Sequence, residues 1–138
     1  MPPVLAHVSI TRLKLRSGWY FFPFLWHTIR SRIQAKRADG CLGISLRKKP
    51  GHAYWTLTVW RDTAAMRAFM ASGAHLKAMP KLLDWCDEAA VAHWQQEGSS
   101  LPTWSEGEER LVREGRLSKV RNPSPAHAAG HILGSPRP

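Results

Sequence analysis

Residues 53–79 read AYWTLTVWRDTAAMRAFMASGAHLKAM, and their order decides the fold. Tyr54 to Trp60 is dense in aromatic and β-branched residues, which a pleated surface accepts best, so a buried strand is predicted there. Tyr54, Thr56, Thr58 and Trp60 fall on one face and Trp55, Leu57 and Val59 on the other, because strand side chains alternate. Asp62 or Thr63 can accept the first free backbone N–H groups of a following helix. In that helix Ala65, Met66, Phe69 and Met70 recur at three- and four-residue spacing and form one apolar stripe. Gly73 interrupts the helix, His75 follows, and Pro80 lies just beyond.

Upstream, Lys49-Pro50-Gly51 has turn chemistry, and Cys41 to Lys48 reads as the strand that pairs with 54–60 in a hairpin. Val4 to Leu15 alternates as a first strand, with Val4, Ala6, Val8 and Ile10 on an apolar face that should pack against helices. Its other face, Leu5, His7, Ser9 and Thr11, is mixed and suits a cavity wall. Gly18 to Lys36 reads as a helix with Pro23 in its first turn. Its stripe is Phe22, Leu25, Trp26, Ile29 and Ile33, flanked by Arg30, Arg32, Lys36 and Arg37. The aromatic run Trp19 to Phe22 reads as a buried helix entry, with a membrane-touching patch as the alternative.

Downstream, Pro80 to Cys86 continues as a short helix. Glu88 to Gln95 is a fourth strand, with Ala90, Ala92 and Trp94 on one face and Ala89, Val91 and His93 on the other. Ser105 to Gly115 reads as a charged helix, with Ser105 as N-cap and Glu108 as its capping-box partner. From 121 to 138 the Pro, Ala, Gly, Ser and His composition predicts a mobile tail. The order β-α-β-β-α-β over 1–120 is the α+β, ferredoxin-like split βαβ plan. Such a sheet carries helices on one face, so its other face needs a cover.

The 138 residues suit one domain, and 43% hydrophobic content supports a real core. Seven Trp side chains must find a core, a ligand pocket or a second subunit. Cys41 and Cys86 lack CxxC spacing, which argues against zinc or thioredoxin-like chemistry. No signal-peptide pattern opens the sequence, and no segment is a run of the roughly 20 apolar residues needed to span a membrane. A cytoplasmic protein with reduced thiols is therefore expected. The net charge is +10, and before residue 61 the only acid is Asp39. That basic half reads as a solvated face; an anionic ligand, a membrane surface or a nucleic acid held by phosphate contacts and base stacking are the alternatives.

His7 and His93 lie on the outer strands, which interleave with the central hairpin in this plan, so their mixed faces can meet Thr56 and Thr58 in one pocket, where imidazole serves as acid, base or ligand. His75 follows a helix break, where its side chain and the free N–H groups nearby can reach a ligand. Asp84, Asp87 and Glu88 form an acidic cluster, which reads as helix-end solvation with no metal site. No Ser-His-Asp order, P-loop or dinucleotide fingerprint is present.

A strand ending in Trp60, an Asp62-capped helix and Ser72-Gly73-Ala74-His75 together resemble the antibiotic-biosynthesis-monooxygenase group of ferredoxin-like proteins. A strand like Ala89 to Trp94, then Pro102 to Trp104 and Gly115 to Val120, narrows the resemblance to a bacterial branch labelled monooxygenase-like or spheroidene-monooxygenase-like. It covers roughly Val4 to Val120. The resemblance implies a dimeric α+β barrel, so a homodimer, with a pocket in each subunit. It also implies a monooxygenase-like enzyme acting on a small apolar or aromatic substrate, often with neither metal nor flavin. Tyr54 or Trp55, with Trp60 and Trp94, would then wall the pocket, Thr56 and Thr58 would make polar contacts, and His7, His75 or His93 would move protons. Haem-degrading relatives place an axial histidine near this region, but aligning Ser72-Gly73-Ala74 puts Met79, not His75, at that place. A non-catalytic carrier of a small ligand, haem included, is the alternative of a different class.

Overall fold

The computed structural model describes residues 5–133; Val4, assigned above to the first strand, lies outside them. The elements are β1 (Leu5–Leu15), α1 (Phe21–Arg37), β2 (Cys41–Lys49), β3 (Ala53–Trp60), α2 (Thr63–Met70), α3 (Gly73–Trp85), β4 (Cys86–Glu97), α4 (Trp104–Glu114), β5 (Arg116–Leu117) and α5 (Pro125–Ala128). One antiparallel sheet runs in the order β2-β3-β1-β4-β5. Its first four strands follow the ferredoxin-like plan, and β5 adds a short edge. Between β2 and β3 the chain reverses over Pro50, Gly51 (φ 84°) and His52 (φ 62°), the last two in the left-handed region that favours glycine. Asp62 caps α2, its Oδ1 accepting the Ala65 N–H at 2.8 Å.

The two faces of the sheet are covered differently from the expectation. The apolar face, with Val8, Ile10, Leu57, Val59 and Ala92, packs under α4 through Leu111. A Cβ on Gly107 would stand 2.8 Å from Ile10 Cδ1, so the glycine lets α4 lie close on the strands. Arg47 is held between the rings of Trp55 and Trp104, 4.6 Å from each centroid. The cover that this face requires thus comes from the chain itself. The helices α1, α2 and α3 lie over the mixed face, where Trp60 packs with Ala35, Ala65 and Met66 and Tyr54 with Phe24.

Other boundaries shift for local reasons. The N-cap of α4 is Thr103, not Ser105: its Oγ1 accepts the Glu106 N–H at 3.1 Å. Thr103→Ala should cost about 1 kcal/mol, read as a lower urea midpoint at unchanged m-value. Pro80 sits inside α3, where it gives up one helical bond; one helix therefore replaces the break and restart expected around it. The predicted core stripe of α1 faces outward: Phe22, Leu25, Trp26, Ile29 and Ile33 are exposed, and Phe24 and Ala35 are the buried residues. The aromatic run expected as a buried entry is divided: Trp19 and Phe22 are exposed, while Tyr20 and Phe21 pack against the core. Within the tail expected over 121–138, residues 121–133 make contacts with the rest of the chain. Ser124 bonds to Asp87 and Glu88, Ala126 is buried, and Ile132 packs on the core; positions 134–138 lie outside the described residues. No helix among the described residues is long and apolar enough to cross a membrane.

Candidate functional site

A cavity of about 590 Å³ lies between the mixed face of the sheet and helices α1 and α3. Strand alternation supplies its floor: Ser9 and Thr11 from β1, Tyr54, Thr56 and Thr58 from β3, Val91 and His93 from β4. Phe24 from α1 and Leu82 from α3 close it with apolar side chains. A wider surface hollow of about 810 Å³ lies between α1 and α2. Its Arg61 is already paired with Asp39 and Asp62, and none of the buried unpartnered polar atoms of the described residues belongs to it. The cavity is therefore the candidate site.

One end of the cavity is the histidine end. His93 lines it, and the His7 ring stacks on His93 with centroids 5.4 Å apart and planes 19° apart. Burial lowers the pKa of both rings; Arg67 adds to the effect at His7, and the His7 ring and Arg116 add to it at His93. Both imidazoles are therefore neutral at pH 7. His93 Nδ1 and His7 Nε2 are buried without a hydrogen-bond partner, and His7 Nδ1 lies 3.4 Å from Thr63 Oγ1. His75 joins this end through Phe69, whose ring stands 4.8 Å from His75 and 5.1 Å from Trp60. Burial lowers the His75 pKa too, opposed by the Met70 carbonyl 3.3 Å from Nδ1.

Of the N–H groups expected free at the helix break, that of His75 is taken by the Gln34 side chain: its Oε1 accepts the His75 N–H at 2.8 Å, while its Nε2 donates to the Ser72 carbonyl at 2.8 Å and to that of Phe69 at 3.2 Å.

Tyr54 marks the other end. Its hydroxyl is buried without a partner, and burial raises its pKa, so it remains a phenol that can donate. Tyr54 pairs with Leu13 and His93 with Ser9. That offset is about 13 Å along the strands and about 10 Å across them. An elongated apolar molecule with a polar group near each end matches this layout.

The remaining expected site residues are divided. Thr56 stands on the floor opposite Thr11. Thr58 accepts the Trp60 Nε1–H at 2.9 Å, and Trp60 is buried at the histidine end. Trp55 borders the cavity, but its ring belongs to the core under α4, as does that of Trp94. The acidic cluster is paired as well as, at Asp84, solvated. Its acids pair with successive cations of β1 and the turn after it: Arg12 with Glu88 at 2.8 Å, Lys14 with Asp87 at 2.9 Å and Arg16 with Asp84 at 3.6 Å. No cluster of three or more His, Cys, Asp or Glu side chains able to hold a metal occurs among the described residues. Cys86 is inert as a nucleophile, since burial in the first place pushes its thiol up to about 12. Sequence reasoning missed Phe24 and Leu82 as walls; Phe24 stands off the α1 stripe, which was the signal available.

The arrangement is the α+β fold of antibiotic-biosynthesis-monooxygenase-like proteins. A putative antibiotic biosynthesis monooxygenase from Nitrosomonas europaea is similar at 13% identity and a TM-score of 0.58, over 71% of this chain and 93% of that one. SnoaB, a cofactor-independent oxygenase from Streptomyces nogalater, is similar at 16% identity and a TM-score of 0.52, over 69% and 94%. A conserved protein from Methanosarcina mazei Go1 is similar at 14% identity and a TM-score of 0.60, over 66% and 92%. At these identities the likeness is one of fold. No functionally curated protein matches the chain. Residues 24–118 match the family described as "Domain of unknown function (DUF3291)", and the chain belongs to that family.

Proposed function

We propose that the chain is a cofactor-independent monooxygenase-like enzyme whose cavity takes an elongated apolar or aromatic molecule with an acidic C–H or O–H. The observation that carries this reading is His93 Nδ1, unpartnered and buried on a neutral ring at the cavity wall. A neutral imidazole there can take a proton from an electron-rich substrate. The resulting carbanion or phenolate can then react directly with dioxygen. One oxygen atom enters the substrate as a ketone, two hydrogens leave it with the other as water, and the substrate supplies the electrons. His7 stacks behind His93, burial keeps the His93 ring neutral, and the Tyr54 hydroxyl holds the far polar group. Fold likeness to an oxygenase supports the reading without deciding it, because one fold hosts many functions. A second copy, where it binds, would meet this chain away from the face that α4 covers.

A second reading, a haem-binding pocket, rests on the Met70 carbonyl beside His75 Nδ1. Such a contact orients a metal-ligating imidazole and leaves Nε2 for the iron.

Oxygen uptake by the purified chain, with anthrone as probe, tests the first reading. His93→Gln should lower kcat roughly 10²–10⁴-fold with little change in KM. Because the folded pKa of His93 lies below the ordinary imidazole value of about 6.5, the rate should hold at pH 6.5 and fall only at lower pH. Binding without uptake would make the protein a carrier. A Soret band on haem titration, lost in His75→Ala, would favour the second reading.

A further inference from the structure

The outward stripe of α1 is the largest feature that the cavity does not explain. Trp19 is 86% exposed, Phe22 77%, Trp26 59%, and Ile29 and Ile33 47% each. At about 100° per residue, Phe22, Trp26, Ile29 and Ile33 share one line, opposite the buried Phe24 and Ala35. Leu76 and Met79 on α3, which packs beside α1, are exposed as well. Contiguous apolar surface of this kind marks an interaction site.

Charge decides the partner. The helix α1 contains no acid. Arg30 and Arg37 flank one side of the stripe, and Arg32 and Lys36 flank the other. None of the four has a salt-bridge partner among the described residues. A second copy would lay these cations against their equals with no acid between. A nucleic acid would meet the cations but leave Leu25, Ile29 and Ile33 in water. A surface with an apolar interior and anionic heads satisfies both features.

We propose that α1 lies in the plane of an anionic lipid surface, with Trp19, Phe22, Trp26, Ile29 and Ile33 sunk at the headgroup–acyl boundary and the four cations on lipid phosphates. Leu25 and Met79 border both the patch and the cavity. Docking therefore sets the cavity beside the acyl phase. A lipophilic substrate can pass into it without crossing water, and this last step alone rests on the proposed cavity function.

Co-sedimentation with vesicles of equal parts phosphatidylglycerol and phosphatidylcholine tests the docking without any substrate. The intact chain should sediment with these vesicles and not with phosphatidylcholine alone. Binding should weaken as salt is raised, with a blue shift of Trp emission on binding. Ile29→Glu should reduce the bound fraction at least tenfold with the thermal midpoint unchanged, since the side chain is exposed. Sedimentation equal to a vesicle-free control would overturn the proposal. So would a dimer in sizing that Ile29→Glu dissolves, which would give the stripe to a second copy. Equal vesicle binding by wild type and Ile29→Glu, together with tight binding of single-stranded oligonucleotides, would give the cations to nucleic acid and likewise overturn it.

Discussion

Glu88→Ala should cost the fold about 3–5 kcal/mol, because it strands a buried cation. Arg12 and Glu88 are 7% and 5% exposed and meet at 2.8 Å across β1 and β4. Glu88 Oε2 also accepts the Ser124 hydroxyl at 2.7 Å. Truncation leaves Arg12 with neither solvent nor partner and frees Ser124 at the start of α5. In a domain of this size the thermal midpoint should drop by roughly 10 °C or more, followed by circular dichroism. Arg12→Met with Glu88→Leu should recover much of the loss, since a packed apolar pair also satisfies the site. A Glu88→Ala midpoint within a degree of wild type would remove the pair from the stabilising contacts. The pH dependence has a definite sign. Burial would raise the Glu88 pKa, but hydrogen bonds from Ser124 and Arg12 outweigh it and the net shift is downward. A folded pKa below the unfolded one stabilises at pH above the unfolded value. That contribution is lost as acid carries the pH down through the folded value, and Glu88→Gln should flatten that part of the stability profile.

Leu111→Ala should cost about 2–5 kcal/mol, the range for truncating a fully buried leucine. Leu111 has no exposed surface and is the α4 residue in the core formed with Val8, Ile10, Leu57 and Val59. Gly107, one turn earlier, already sits on Ile10, so α4 has little room to settle into the space left behind. The upper half of the range is therefore expected. Chemical denaturation measures it; a loss under 1 kcal/mol would mean that α4 is a dispensable cover.

Local chemistry made much of the fold legible. Trp60, Asp62 and the three- and four-residue spacing of Ala65, Met66 and Phe69 define a strand, a cap and a helix without help from distant residues. The hairpin likewise follows from Pro50-Gly51. Periodicity in α1, however, shows that one face is apolar and says nothing about which way that face points. Its buried face carries Phe24, Thr28, Ser31 and Ala35, a mixed set suited to a cavity roof, and the greasier stripe was left outside. The ion pairs of β1 join residues more than sixty positions apart, so Asp87 and Glu88 gave no sign of their partners. The site was half legible: His7 and His93 meet as the strand plan implies, whereas Trp55 and Trp94 follow the alternation to the opposite face. Among the contacts of 121–133 is that of Ser124 with Glu88, which composition cannot show.

The carboxamide of Gln34 ties α1 to the start of α3, holding the carbonyls of Phe69 and Ser72 and the amide of His75 at once. Two helices that are far apart in the chain are thereby geared together. The joint lies at the His75 backbone, next to the aromatic contact that runs through Phe69 to Trp60. The helix whose outer side is the exposed stripe is thus the same one that is fastened, by a carboxamide and by packing, to the helix that walls the cavity.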